Sequence, residues 1–326
     1  MARRRVAGVP TRKGRNPSRL KPQLFNACEL AVLPQDGKMS SMEIMDNPRA
    51  DRVRAAAHLA KAAGRKKAGE FLVEGPQAVR EAIVEHRTQR GFVREVFITE
   101  DRMEREPELA QVADARVNVV TDRVLAAIAD TQSPQGVVAR CRIPHTTLKQ
   151  AVTPKTRLVA VLGRVQDPGN AGTIIRAADA AGAVAVVALK GSVDVFSPKV
   201  VRSTVGSLFH VPVVTGVELD ELTEHLMRCG IVLLAADGGG DHDLTVLEDD
   251  AAARRHGVTV KGSMKRPSLA TATAWLFGNE GQGISDEERA ASFATVSIPL
   301  YGQAESLNVS TAATLCLYAS ARAQRS

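Results

Sequence analysis

Aromatic residues are scarce in this chain: one Trp, two Tyr and eight Phe make up 3% of its 326 residues. So few ring faces leave little platform for stacking unpaired bases, and a polyanionic partner would have to be held through phosphates and shape. Cysteine is sparse too. Cys28, Cys141, Cys229 and Cys316 lie far apart, in neither a metal spacing nor a disulfide framework, so reduced thiols in a cytoplasm are expected. No apolar run reaches the roughly 18 residues that a membrane span needs. The amino terminus has no apolar signal-peptide core, and a cytosolic protein is the expectation. None of the seven histidines stands in a ligand spacing; His242, between Asp241 and Asp243, reads as a solvated loop residue, and no metal is expected.

Acidic residues are missing from positions 1–21, which carry Arg3, Arg4, Arg5, Arg12, Lys13, Arg15, Arg19 and Lys21. This stretch reads as the start of a basic, disordered extension over residues 1–45. Met39, Met42 and Met45 stand just ahead of the first clear helix, so part of the extension can precede the native start. The mass of the native protein decides that point.

What is present is ordinary globular material: 44% hydrophobic and 24% charged residues, with a formal net charge of +7. The length suggests two domains, and the excess of positive charge favours a polyanion as partner. Apolar spacing at Val53, Ala56, Ala57, Leu59, Ala60 and Ala63 marks a first helix, with Gly64 as its stop. Strands are expected at 70–74, 93–99, 117–120 and 136–143, alternating with helices at 77–87, 104–113 and 122–129. That alternation describes a small α/β domain over residues 46–145. Pro144 to Pro154 reads as a linker.

A second α/β series over residues 150–326 has strands at 158–162, 185–189, 231–235, 273–277 and 296–298. Helices are expected at 173–181, 198–207, 219–229, 286–291 and 308–322. The strands are continuous apolar runs, the pattern of a parallel sheet covered on both faces. The Gly- and Asp-rich stretch from Asp237 to Thr271, with Arg254, Arg255, Lys261, Lys265 and Arg266, reads mostly as an insertion loop, disordered or touching a polyanion.

Three segments carry candidate chemistry. In Leu162–Gly182 a strand runs through the turn residues Asp167-Pro168-Gly169-Asn170 into a helix, and Gly172 sits where the backbone must pass closely. Arg176 lies there among apolar neighbours, so its charge needs a partner. The second segment, Trp275 to Ile284, is an apolar strand entering a loop with Gly278, Gly281 and Gly283, whose amides can approach a ligand. Its spacing is not that of a dinucleotide fingerprint, which argues against a nicotinamide-dependent oxidoreductase. Glu280 in this loop could serve only as a charge at a helix N-terminus. In the third segment, Ser297 to Ala313, either Ser306 or Asn308 would cap the last helix, and capping and ligand contact can coexist.

Taken in order, Asn170 with Arg176, the Gly278-Asn279-Glu280-Gly281 loop and the Ser306-Leu307-Asn308-Val309-Ser310 run resemble the SpoU (TrmH-like) branch of the SPOUT RNA 2'-O-ribose methyltransferases. The stretch from Phe196 to Ser207 is similar to the family's middle region. Around Glu70 to Gly75 the chain resembles the ribosomal-protein-like substrate-binding domain found ahead of it in several rRNA methylases. The resemblance spans about 150 residues of the second series.

It implies a carboxy-terminal trefoil knot, S-adenosylmethionine as cofactor, a homodimer, and RNA as substrate, with large-subunit rRNA favoured over tRNA. It places Gly278, Ile298, Leu307, Leu276 and Asn279 at the cofactor, and Arg202 on RNA phosphate from the partner subunit. Arg176 would stabilise the developing alkoxide electrostatically, because a guanidinium holds its proton too tightly to be a good base. Asn170, Glu280 and Asn308 would orient it, with Ser306 a lesser contact. The alternative in another class, a non-catalytic RNA-binding or ribosome-assembly protein, would show a damaged loop or lack Arg176, and both are intact here.

Overall fold

The computed structural model describes residues 43–258 and 266–325. Cys28, Lys261, Lys265 and the expected extension up to residue 42 lie outside them. Met45, at the edge of that extension, is bridged to the small sheet: its amide donates to Val119 O at 2.9 Å, and its carbonyl accepts from Thr121 N at 3.1 Å.

The first half contains α1 (Asp51–His58), α2 (Ala62–Ala68), β1 (Glu70–Glu74), α3 (Pro76–Thr88), β2 (Val93–Thr99), α4 (Glu100–Arg105), β3 (Arg116–Val120), α5 (Asp122–Ile128) and β4 (Val137–Arg142). Its four strands form one sheet in the order β1-β4-β2-β3, with β2 and β3 parallel and the other pairs antiparallel. One face packs Phe71, Val96 and Ile98 toward the second half, and the other packs Leu72, Phe97 and Val138 under α1 and α5.

Two readings are corrected here. The first helix ends at His58, and Gly64 lies inside α2, where an added Cβ would fall 2.1 Å from His58 O. The turn out of α2 is made instead by Gly69, at φ +65°, the left-handed conformation glycine adopts freely. The helix expected over 104–113 starts at Glu100, because the Thr99 hydroxyl caps it, and gives way to a 3₁₀ turn at Pro107–Ala110.

The second half follows through α6 (Leu148–Ala151), a capped turn of helix within the expected linker. Then come β5 (Leu158–Leu162), α7 (Pro168–Ala181), β6 (Ala185–Leu189), α8 (Pro198–Thr204), β7 (Val213–Val217), α9 (Leu219–Cys229), β8 (Val232–Ala236), β9 (His242–Asp243), α10 (Leu244–Arg255), β10 (Thr273–Phe277), α11 (Asp286–Ala291), β11 (Ala294–Ser297) and α12 (Val309–Gln324). The sheet order is β7-β6-β5-β10-β8-β11-β9, and every pair in it is parallel. Wholly buried runs such as Leu158–Leu162 and Thr273–Phe277 occupy its centre, as a sheet covered on both faces requires.

The reading of residues 237–271 as mostly a loop is corrected over His242–Arg255, which form β9 and α10. Leu244, Leu247 and Ala251, spaced as one helical stripe, are buried against the core, and the Asp243 carboxylate caps the helix through Thr245 N at 2.7 Å. The carboxy-terminal helix α12 packs against α7 and the sheet. Trp275 Nε1 donates to Ser320 Oγ at 2.8 Å, both groups fully buried, which fixes the roll of α12 over β10. Among the described residues no helix is long and apolar enough to cross a membrane.

Candidate functional site

The two central neighbours β5 and β10 run parallel with Phe277 beside Leu162, so the loops leaving them emerge together at the carboxyl end of the sheet. Open α/β sheets bind ligands at this edge. Gly163 N donates to Phe277 O at 2.7 Å, and the Asn279 amide donates to Arg164 O at 3.1 Å, stitching one loop to the other. The second loop is a tight hairpin. Asn279 and Gly283 exchange backbone hydrogen bonds of 3.0 and 2.8 Å, with Gly283 at φ +67°. An added Cβ on Gly278 would lie 2.4 Å from Gly283 O, so only glycine lets the hairpin fold back at this point.

Glu280 reaches from this hairpin to the start of α7. Its carboxylate accepts from Gln166 N and Asp167 N, both at 3.0 Å, and from Asn170 Nδ2 at 3.1 Å. Burial alone would raise the Glu280 carboxyl, but these donors and its own amide outweigh that and hold it below the usual carboxylate range. The Asn170 oxygen in turn accepts from Asn308 Nδ2 at 3.0 Å. Asn308 Oδ1 caps α12 by accepting from Ser310 N at 2.9 Å and from the Ser310 hydroxyl at 2.6 Å. One polar chain, Glu280 to Asn170 to Asn308, thus ties three sequence-distant segments together. Asn308, rather than Ser306, is the cap.

Beside this chain lies a cavity of about 660 Å³, within the range of small-molecule sites. Its walls come from the end of β8, the Gly278–Gly283 hairpin, the segments 296–300 and 305–308, and the first turn of α12. Asn170, Gly278, Asn279, Glu280, Ile298, Ser306, Leu307 and Asn308 all line it. Leu276 does not: it is wholly buried one residue short of the strand end and supports the wall from behind. Sequence reasoning missed Asp237 and Glu305. Asp237 ends the run after β8 that was taken for the start of an insertion, and Arg289 Nη1 lies 2.5 Å from its Oδ2. An acid closing an apolar strand just before Gly238-Gly239-Gly240 was the available signal.

Arg176 and Arg202 stand apart from the cavity. The helix starts at Pro168 rather than Thr173, which puts Arg176 in its third turn, and its side chain is exposed rather than buried among the apolar neighbours. Among the described residues it has neither a hydrogen bond nor an ion pair. Arg202, on α8, reaches the first half of the chain, with Nη1 3.3 Å from Glu74 Oε2 and Nη2 3.0 Å from Asp130 Oδ2.

The lining answers what charge the cavity suits. Asp237, Glu280 and Glu305 contribute three carboxylates; no basic side chain lines the wall, Arg289 pairing with Asp237 from outside it, and apolar groups such as Ile298 and Leu307 supply the rest. A nucleoside-sized molecule bearing a sulfonium and an ammonium fits this donor set. A bare polyphosphate would be repelled by it. Among the described residues no group of three or more His, Cys, Asp or Glu side chains could hold a metal ion.

The comparisons with known proteins bear on most of the chain. Residues 157–318 match the model of the SpoU rRNA Methylase family, and residues 50–139 that of the MRM3-like substrate binding domain. A 23S rRNA (guanosine(2553)-2'-O)-methyltransferase of Bacillus subtilis is 32% identical over 254 residues, covering 78% of this chain and 89% of the relative. A 23S rRNA (uridine(2479)-2'-O)-methyltransferase of Streptomyces viridochromogenes is 32% identical over 263 residues, covering 79% and 84%. Among solved structures, the SpoU methyltransferase AviRb from Streptomyces viridochromogenes in complex with AdoMet superposes with a TM-score of 0.71 at 30% identity, covering 85% of this chain and 98% of that one. With its tied loops, its carboxylate-lined cavity and these relatives, the chain belongs to the SpoU rRNA methylase family.

Proposed function

We propose that this protein transfers the methyl group of S-adenosylmethionine to a ribose 2'-hydroxyl of structured RNA, with large-subunit rRNA as its substrate and tRNA as the alternative. The carrying observation is the cavity at the carboxyl ends of β8, β10 and β11, walled by carboxylates and glycine backbone, with the Glu280–Asn170–Asn308 chain at its side. Relatives whose names specify 23S rRNA 2'-O-methylation support the choice of substrate.

In this reading residues 46–145 bind substrate RNA, residues 150–326 form the methyltransferase domain, and residues 1–45 are a basic extension. Gly278, Asn279, Ile298 and Leu307 hold the cofactor, with Leu276 setting the strand end beneath them. The cofactor supplies an electrophilic methyl carbon; the protein must align an oxygen with it and favour the charge that develops on that oxygen. Asn170, Glu280 and Asn308 fix the edge of the site, Ser306 adds a polar contact, and Arg176 provides the cation. Arg176 acts by electrostatic stabilisation of the developing alkoxide, and the hydroxyl proton leaves to solvent.

The exposed position of Arg176 and the outward face of α12, where Thr311, Leu315, Tyr318 and Arg322 follow a helical stripe, support a homodimer. A second copy seated on that face would shield Arg176 and bring Arg202 toward substrate phosphate. A trefoil knot around the 278–308 segments and a cytoplasmic location complete the reading. The test is transfer of labelled methyl to total RNA from a deletion strain, with the site mapped, alongside calorimetry for the cofactor. A mapped ribose methyl is expected; a folded protein with no affinity for the cofactor or its demethylated product would overturn it.

A further inference from the structure

The small sheet carries a polar basin on the face that packs under α1. Its register aligns Arg140 of β4, Glu95 of β2 and Arg116 of β3 in one row across the strands. Glu95 is 6% exposed, and a buried carboxylate is stable only when fully partnered. Here it is the hub: Oε2 accepts from Arg140 Nη1 at 2.7 Å, and Oε1 accepts from Arg52 Nη1 at 3.1 Å and Asn118 Nδ2 at 3.0 Å. Arg140 is clamped from its other side by Glu70, which accepts its Nη2 at 2.6 Å.

A β-bulge intervenes at Arg94, where the register steps from Val93↔Cys141 to Glu95↔Arg140. The extra residue is freed from the alternation of faces, and Arg94 lines the basin with the row. The result is an open hollow of about 520 Å³ walled by Arg52, Arg94, Arg116 and Arg140. Both carboxylates in its wall are engaged, Glu95 as above and Asp51 with Arg54. Arg94 lies 3.9 Å from Glu70, and the Arg116 side chain has no hydrogen bond or ion pair among the described residues.

We infer that this basin is a second RNA-contact surface, which grips sugar–phosphate backbone at a place separate from the methyl-transfer cavity. The inference rests on the RNA-substrate reading above and names where the first half of the chain touches that substrate. Glu95 and Glu70 hold Arg52 and Arg140 rigidly, Arg94 is paired only at 3.9 Å, and the Arg116 side chain has no partner among the described residues, which preorganises the row for phosphate oxygens. Arg140 and Arg116 are two strand spacings apart, roughly 10 Å, enough to meet different phosphates. A protein partner is a poorer match, because Ala55 is the only apolar residue in the wall and stable protein interfaces need larger apolar or aromatic anchors.

The test uses the full chain without cofactor and a transcript of large-subunit rRNA, with affinity measured across a salt series. The double variant R94E/R116E is expected to bind about tenfold more weakly at low salt, with a salt slope lower by roughly 1.5 to 2; R94K/R116K should keep most of the affinity. Calorimetry of S-adenosylmethionine on both variants, unchanged from the parent, shows that the fold is intact. Parental affinity and slope in R94E/R116E would overturn the inference. So would polyglutamate binding the parent as tightly as the transcript and being lost in the variant, which would assign the basin to an acidic protein. The readout needs no turnover, so a parent chain that bound RNA through the basin yet methylated nothing would sink only the catalytic reading.

Discussion

Asn308 donates its side-chain amide to the Asn170 oxygen across 3.0 Å, joining the head of the last helix to the head of the helix after the first strand of the large sheet. Asn170 has no spare role in that arrangement, since its own amide donates to Glu280. Replacing Asn170 with Ala therefore cuts the chain twice and leaves Glu280 held by backbone donors alone. Misplacement of a reacting group by about 1 Å costs on the order of 100-fold in rate. A loss of that size in methyl transfer is expected, with thermal stability little changed; a variant within threefold of the parent rate would show that the chain is structural only.

Arg176 is exposed, so its removal should leave folding intact and act on chemistry alone. The R176A variant should lose about 100- to 1,000-fold in methyl transfer, the magnitude of one lost charge-stabilising donor. Cofactor affinity by calorimetry should stay within a few fold. R176K restores charge without the planar fork and should recover only part of the rate. Full activity in R176A would remove this residue from the mechanism.

Gly278 tests the cavity wall. An added methyl meets the Gly283 carbonyl at 2.4 Å, a backbone contact with no flexible end to yield. G278A should force the hairpin open at a cost of about 1 to 3 kcal/mol. If that strain falls on the cofactor-binding geometry, the dissociation constant rises about 5- to 150-fold. An unchanged constant, measured by calorimetry, would place the cofactor elsewhere.

How far the sequence foretold this site differs from residue to residue. The strands at Leu158–Leu162 and Thr273–Phe277 were legible because a doubly covered strand is apolar throughout. The edge strand Val213–Val217 was missed: only part of it is buried, and Gly216 at φ +72° interrupts it. Helix α10 was hidden by its Gly- and Asp-rich approach, although Leu244, Leu247 and Ala251 already showed helical spacing. The residues of the polar chain could be named from their motifs. Their mutual hydrogen bonds could not, because Asn170 is 110 positions from Glu280 and 138 from Asn308, and only the folded sheet brings them together. Arg176 was expected to need a partner because its helical neighbours are apolar, but its own direction on the helix points outward.

His210 gives the pH prediction. Its Nδ1 lies 2.8 Å from Asp179 and its Nε2 3.3 Å from Glu81, so it links α7 to α3 in the first half of the chain. The Asp179 hydrogen bond, helped by Glu81 and opposed by burial, raises its pKa above the ordinary imidazole value. The charged form is favoured in the fold, so its contribution is complete below the unfolded value and is lost as pH rises through the raised one. For so exposed a pair the contribution should be no more than about 1 kcal/mol. Urea midpoints measured from pH 5.5 to pH 9 should fall on the alkaline side in the parent and fall less in H210A; identical profiles would refute the clasp.

The outward face of α12 bears on whether one chain is enough. Leu315 is 44% exposed and Tyr318 49% exposed, one turn apart on a helix whose inner side holds Cys316, Leu317 and Ser320 in the core. Large apolar groups in register on a surface mark a contact, and a second copy of the same helix is the occupant we propose. L315E/Y318E should sediment as a monomer while the parent sediments as a dimer. Because both positions lie outside the cavity, cofactor affinity should hold to within a few fold, and methyl transfer should fall at least as far as in R176A if Arg176 acts only when the partner shields it. A monomer that keeps the parent rate would mean that one subunit carries the whole active site.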